Sequence, residues 1–312
     1  MSNEDEKFRL VTRSDFDGLV CAVLMRELDV INDIKFVHPK DVQDGLVLLS
    51  DTDITANLPF DSRVQRAFDH HHSEMVRLEE LPDNYVNTPN APSAARVVYD
   101  YYGGKDAFPR IPDELMEAVD EGDSAQFTMD EVMAPTNWAM LNFVMDSRTG
   151  LGRFKDFRIS NYDLMMALID YCRDHSIEEI LELPDVKERI DLYLEHKDRF
   201  VEQIRNCSTI YDNLVVLDLR NEETIYPGNR FMIYALFPET NISIHAIWGL
   251  DKLNTVFAVG KSIFNRTSKT NIGELVLKYG GGGHEAAGTC QIDSDDNERV
   301  LKELIAEIND DG

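Results

Sequence analysis

Phe8-Arg9-Leu10-Val11-Thr12-Arg13-Ser14-Asp15-Phe16-Asp17-Gly18, running on into Leu19 to Leu28, decides the fold. Residues 8 to 12 read as a strand, and the mostly apolar run from Leu19 to Leu28 predicts a helix. Asp15-Phe16-Asp17-Gly18 is therefore the loop between them. Open α/β sheets bind ligands at the carboxyl ends of their strands, so two carboxylates held there are placed for a site. Gly18 lets the backbone turn tightly at the helix entrance. Taken alone, Asp15 or Asp17 reads equally well as a helix cap.

Three more apolar segments end in the same chemistry. Gly45 to Ser50 predicts a second, buried strand that ends on Asp51-Thr52-Asp53, and Val64 to Phe68 a short strand that ends on Asp69-His70-His71-His72. Leu115 to Val119 leads into Asp120-Glu121-Gly122-Asp123-Ser124. Carboxylates joined by one or two imidazoles suit Mn²⁺, Mg²⁺ or Fe²⁺, whereas structural zinc favours thiolates. Cys21, Cys172, Cys207 and Cys290 show no paired spacing of the zinc-knuckle kind. A carboxylate bridging two cations holds them about 3.5–4 Å apart, a geometry suited to phosphoester or phosphoanhydride hydrolysis.

The C-terminal region carries cations instead of acids. After a strand at Val256 to Val259 comes a loop, Gly260 to Asn271, with Lys261, Arg266 and Lys269 among hydroxyls and amides. Such a loop suits phosphate oxygens and a ribose. An amphipathic helix over Ile272 to Tyr279 leads to Gly280-Gly281-Gly282-Gly283-His284, where glycines let backbone N–H groups approach an anion. Arg266 and His284 read as substrate-gripping residues. A third basic patch, Arg148 to Arg158, either stacks on a base or packs on the core with its cations reaching solvent. Tyr99, Tyr101 and Tyr102 lie on a helix starting near Ser93 and read as packing residues.

Together, Ser14-Asp15-Phe16-Asp17-Gly18, the acid-ended strand at Asp51 to Asp53, Asp69-His70-His71, Asp123-Ser124, and the glycine run with His284 ahead of Glu285-Ala286-Ala287-Gly288 resemble the DHH/DHHA1 phosphoesterase superfamily. The likeness covers nearly the whole chain. Within the superfamily it points to the short-oligonucleotide hydrolases (nanoRNases) and the exopolyphosphatase-related proteins. It implies a DHH domain carrying two Mn²⁺ ions and a smaller DHHA1 domain that grips substrate. Asp15 would bind the first metal and Asp17 the second. Asp51 or Asp53 would bridge them, and the choice stays open because side chains two apart in an extended chain point the same way. His70 and Asp123 would complete the second metal, with Asp69 and His71 in or just behind the ligand set and His71 protonating the leaving oxygen. His72 is an extra histidine beyond the motif. Arg266, Gly281, Gly282, Gly283 and His284 would hold the far phosphate or nucleotide.

One position departs from the pattern, which opens with a histidine two residues before the first Asp, whereas this chain has Arg13. A guanidinium has no lone pair for a cation, so the first metal is expected to be weakened, and Arg13 to contact a substrate phosphate. The resemblance implies a Mn²⁺-dependent phosphodiesterase that cuts linear dinucleotides of the pGpG type, or very short oligoribonucleotides, to mononucleotides. Polyphosphate or 3′-phosphoadenosine phosphate is the alternative substrate. A non-catalytic nucleotide-binding protein is the reading from another class.

A chain of 312 residues with 43% apolar content can build two cores. We expect a DHH catalytic domain over 1–190, a connecting helix over 191–210 and a DHHA1 domain over 211–312. Alternating strands and helices predict a doubly wound, mainly parallel sheet in the first domain, followed by helices, and a smaller α/β domain after it. A formal charge of −27 argues against nonspecific binding of long nucleic acid. No signal peptide and no apolar run of about 18 residues is evident, so a membrane is not expected. Unpatterned cysteines fit a reducing cytoplasm. The expected partner is a short nucleotide, and a homodimer is left open.

Overall fold

The computed structural model describes residues 7–71 and 80–312, and His72 lies outside them. The helices are α1 (Phe16–Glu27), α2 (Pro39–Gln43), α3 (Ala94–Tyr101), α4 (Asp113–Asp123), α5 (Met129–Met133), α6 (Asn137–Met145), α7 (Asn161–Asp174), α8 (Ile177–Leu181), α9 (Pro184–Cys207), α10 (Met232–Leu236), α11 (Ile272–Leu277) and α12 (Asn297–Asp311). The chain forms two compact units. The first runs to Phe127 and adds Pro135–Ser147 and Leu151–Asp191; the second takes Thr128–Ala134, Arg148–Gly150 and Leu192–Gly312.

The first unit is built on β1 (Phe8–Arg13), β2 (Ile31–Val37), β3 (Asp53–Ala56), β4 (Arg66–Asp69) and β5 (Tyr85–Asn87). Their order is β2-β1-β3-β4-β5, and every neighbouring pair is parallel. Parallel strands need crossovers that cover the sheet, so such strands read as apolar runs. Leu10, Val11, Ile54, Ala67 and Phe68 are accordingly buried. From β1 the chain steps to β2 on one side and then to β3 on the other, which opens a crevice at the carboxyl ends of β1 and β3.

The segment Gly45 to Ser50 is not a strand, which corrects the sequence reading. It alternates: Val47 and Leu49 are buried with Val11, Val42 and Ala67, while Leu46 and Leu48 stand 72% and 82% exposed. The sheet pairing begins later, where Arg9 lies opposite Asp53 and Thr12 opposite Ala56. Likewise Leu115 to Val119 belongs to a helix, α4, whose last turn carries Asp120 and Asp123.

Helix α1 buries nearly its whole length, from Phe16 to Met25. That depth brings it hard against the end of β1, and Gly18 is what permits the approach. A Cβ there would collide with the Arg13 carbonyl oxygen and the Thr12 hydroxyl.

The second unit carries a mixed sheet of β6 (Ser208–Tyr211), β7 (Leu214–Asp218), β8 (Ile242–Trp248), β9 (Asn254–Lys261), β10 (Gly282–His284) and β11 (Ala287–Asp293), ordered β10-β11-β9-β8-β7-β6. Only β7 and β8 pair in parallel. Ile272 and Val276 of α11 and Val300, Leu304 and Ile308 of α12 bury against Leu214, Ile244, Phe257 and Val259. Among the described residues no helix is long and apolar enough to cross a membrane.

We expect Gly18→Ala to destabilise the first unit by about 1–3 kcal/mol through overpacking against backbone. Gly282→Ala, where a Cβ meets nothing within 4 Å, serves as the control with an unchanged first transition. Thermal unfolding followed by calorimetry checks both.

Candidate functional site

The crevice at the carboxyl ends of β1, β3 and β4 collects the chemistry of the first unit. Asp15 is the N-cap of α1, its Oδ1 accepting from Gly18 N at 3.0 Å. Asp17 is 2% exposed, and its carboxylate accepts from the first-turn amides of α3, Ala94 N at 3.0 Å and Ala95 N at 2.8 Å. Those amides are among the donors that a helix start leaves unpaired. Burial, then the charges of Asp123 and Asp15, push the Asp17 carboxyl well above the usual carboxylate range, partly countered by His70 and the Ala95 amide.

Asp123 arrives from α4, which is fastened to the start of α3. Ser93 Oγ donates to Asp120 Oδ1 at 2.7 Å, and Arg96 pairs with Asp120 Oδ2 at 2.5 Å. Burial alone would raise the Asp123 carboxyl, but the neighbouring imidazole of His70 outweighs it and holds it low. His70 follows β4. Its Nδ1–H donates to Ala91 O at 3.0 Å, which turns Nε2 to within 2.9 Å of Asp123 Oδ2. Nε2 is buried there, close enough for charge attraction but not aligned in a hydrogen bond. Burial would lower the His70 pKa; the carboxylates of Asp123 and Asp17 override it and push it up to about 9.

One ligand atom from each of Asp17, His70 and Asp123 falls within 4.8 Å of the others. Two carboxylates and one imidazole with a buried, unaligned nitrogen are a donor set that suits a divalent cation preferring oxygen and nitrogen. This set fits one metal ion of the kind expected for Asp17, His70 and Asp123.

Asp69 sits beneath the cluster, 1% exposed. Its Oδ1 accepts from His70 N at 2.9 Å and lies 2.7 Å from His71 Nδ1, and its Oδ2 accepts from Tyr85 OH at 3.0 Å. Asn87 Nδ2 donates onward to Tyr85 OH and to the His71 carbonyl. Asp69 therefore fixes the His71 ring. His71, Asp69, Arg13, Asn57, Leu58, Pro59 and Pro39 line a pocket of about 70 Å³.

Asp51 and Asp53 are not brought to this crevice. They lie before and at the amino end of β3, while the cluster is at the carboxyl ends. Asp53 is buried against Arg9, with Nε–Oδ1 at 2.7 Å and Nη2–Oδ2 at 3.0 Å, and also accepts from Ser50 N at 2.8 Å. The sequence reading placed the strand too early, so its acids landed at the wrong end. The residue that follows β3 into the crevice is Asn57, which sequence reasoning missed. Its backbone takes φ of 55°, a left-handed conformation that Asn tolerates better than most residues. The signal available was the β-branched run Ile54-Thr55 ending just before it.

Asn57 Nδ2 donates to Asp15 Oδ1 at 3.2 Å, while its own Oδ1 is buried without a partner. Arg13 Nε pairs with Asp15 Oδ2 at 2.8 Å. Asp15 is thus held by a guanidinium, an amide and a backbone N–H. None of these three donors can ligate a cation, and the residues around Asp15 do not fit the first metal.

In the second unit, Arg266 is exposed and its Nε donates to Ile263 O at 3.0 Å; His284 is exposed on β10. The glycine run has a packing cause. A Cβ on Gly281 would collide with the Thr289 carbonyl, and one on Gly283 with the backbone of Ala287 and Gly288. The basic patch pairs Lys155 with Glu188 at 3.0 Å and Arg158 with Asp185 at 2.5 Å, and Phe157 lies under the Arg189 guanidinium at 4.1 Å. Those contacts favour packing over base stacking. Tyr101 and Tyr102 pack on Phe68, and Tyr99 stacks on Phe108.

A parallel sheet with a carboxylate–imidazole cluster at its switch point is a framework suited to phosphoester hydrolysis. One solved structure, the pGpG-specific phosphodiesterase PggH from Vibrio cholerae, is 61% identical with a TM-score of 0.86, covering 98% of this chain and 100% of that one. RecJ in complex with Mn²⁺ from Thermus thermophilus is 14% identical with a TM-score of 0.49, covering 97% of this chain and 52% of that one. No protein-family model and no curated protein matches. The chain belongs to the family of the Vibrio pGpG-specific phosphodiesterase.

A cation at Asp17, His70 and Asp123 must displace the proton that His70 holds up to about 9. Apparent Mn²⁺ affinity should therefore climb with pH as long as pH is below about 9, and level off above it. In the cation-free protein the sign is opposite. The raised His70 pKa adds stability that is complete below about 6.5 and is lost as pH rises through about 9. Asp123, held low, stays ionised across this window. Calorimetric titration in buffers of different ionisation heat counts the released proton; affinity flat with pH would contradict the assignment.

Proposed function

We propose that this protein hydrolyses pGpG and similar short linear dinucleotides to mononucleotides, using a divalent cation, with Mn²⁺ the first candidate. The observation that carries the reading is the 61% identity with a pGpG-specific phosphodiesterase over the full length of both chains. The cluster of Asp17, His70 and Asp123 supplies its chemistry. A formal charge of −27 supports a small substrate taken up by local basic groups over long nucleic acid, and the free cysteines support a cytoplasmic setting.

A bound cation would supply Lewis-acid stabilisation of the charge that builds on the phosphoryl oxygens. Asp17, His70 and Asp123 would hold it. Water attacks phosphorus, the bond to the ribose 3′ oxygen breaks, and that oxygen takes a proton. In this reading His71 provides the proton, because Asp69 fixes its Nδ1 and turns the other ring nitrogen to the pocket it lines with Arg13 and Asn57. From pGpG the products are two molecules of GMP. Arg266, Gly281 to Gly283 and His284 are proposed to hold the distal nucleotide; of these three glycines, Gly282 has a Cβ position that opens on empty space.

Incubation with Mn²⁺ and, in separate reactions, pGpG, pApA, 3′-phosphoadenosine phosphate, a cyclic dinucleotide and polyphosphate tests the substrate. We expect GMP from pGpG as the fastest reaction; phosphate release from polyphosphate alone would end the dinucleotide reading. Asp17→Asn should lower kcat by about 10²-fold or more, the scale on which removing a strong charge-stabilising contact acts. Asp69→Asn, which loosens His71 without touching the cation, should cost about 10–100-fold in kcat. Steady-state kinetics under saturating Mn²⁺ separates the two.

A further inference from the structure

We propose that this enzyme binds a single divalent cation and that the Arg13 guanidinium, clamped by Asp15, occupies the place of the first metal as a fixed organic cation. The inference rests on the reading of Asp17, His70 and Asp123 as the cation site. Three observations converge on it. Arg13 stands where the family pattern has a histidine, and its Nε is 2.8 Å from Asp15 Oδ2. The residue entering the crevice from β3 is the neutral Asn57, whose Nδ2 donates to the other oxygen of Asp15 at 3.2 Å. The acids that were candidates for a bridge, Asp51 and Asp53, are at the opposite end of β3, and Asp53 is consumed by Arg9.

Charge and donor chemistry lead the same way. A second divalent ion beside Asp15 would need further anionic ligands, and it would meet the Arg13 guanidinium there and the neutral Asn57 amide in place of an acid. An amide cannot bridge two cations with a negative charge, and the guanidinium would repel the incoming ion. With His71, Asp69 and Asn57, Arg13 lines a pocket. A phosphoryl group in that pocket would meet a permanent cation on one wall. The planar fork of Arg suits bidentate contact with phosphate, a contact that a second metal makes in two-metal enzymes. The Asn57 Oδ1, buried without a partner, offers an acceptor on the same wall.

The test is metal stoichiometry on the purified full chain, read without turnover. Mn²⁺ titration by calorimetry and elemental analysis after dialysis should give one ion per chain, and electron paramagnetic resonance should show an isolated Mn²⁺ with no exchange-coupled pair. The double substitution Arg13→His with Asn57→Asp should add a second ion and the coupled signal. Two ions per wild-type chain, or a coupled pair in its spectrum, would overturn the proposal. If the double variant does not fold, the wild-type stoichiometry alone decides. Arg13→Gln, which removes the fixed charge, should retain one ion while kcat on pGpG falls by about 10²-fold, on the scale of losing a charge-stabilising contact. Arg13→Gln with kcat unchanged would remove the guanidinium from the reaction. One ion bound with no hydrolysis of pGpG would overturn the proposed function and leave this stoichiometry standing; hydrolysis with two ions would do the reverse.

Discussion

The burial of Asp17 beside Asp123 is the constraint to which the rest of the first unit answers. A carboxylate removed from water and set near another carries a desolvation cost and a like-charge repulsion, both of which favour the neutral acid. The fold offsets part of this with the two amides at the start of α3 and with the imidazolium of His70. The remaining imbalance of negative charge is one that a divalent cation would relieve. Function here grows out of an electrostatic debt that the polypeptide leaves open.

Holding that cluster requires parts from four places in the chain. The β1–α1 turn sets Asp17, the end of β4 sets His70, the start of α3 caps the carboxylate, and the end of α4 delivers Asp123. The Ser93–Asp120–Arg96 linkage keeps the last two in register. The parallel sheet makes this convergence possible, since all its strands end on the same side. Asp69 then extends the order downward by tying the backbone of His70, the ring of His71 and the hydroxyl of Tyr85 to one carboxylate.

On the other side of the crevice the same turn solves the charge problem differently. Asp15 caps α1 and is neutralised by Arg13, which belongs to the strand that feeds the turn. Of the two readings open for Asp15, the helix cap is the one the structure shows. In the second unit the glycine run likewise has a structural role: Gly281 and Gly283 are small because β10 lies hard against β11, whatever ligand that edge takes.

The strand, acidic turn and helix from Phe8 to Glu27 were legible in the residues themselves, and so was the strand ending on Asp69-His70-His71, because local periodicity and the position of polar residues at strand ends are properties of short segments. The family resemblance marks Asp17, His70 and Asp123 as candidate ligands, and the fold brings the three together. The register of β3 could not be read, since Leu46 to Leu49 is as apolar as a buried strand and only packing shows that alternate residues face solvent. That one shift moved Asp51 and Asp53 to the far edge of the sheet and brought Asn57 into the crevice. The pairing of Arg13 with Asp15 and the capping of Asp17 by α3 were equally invisible, because they depend on which segments meet in space. Local sequence determined which residues can carry the chemistry; tertiary packing decided which of them share one pocket, because charge interactions are set by distance in space and not by spacing along the chain.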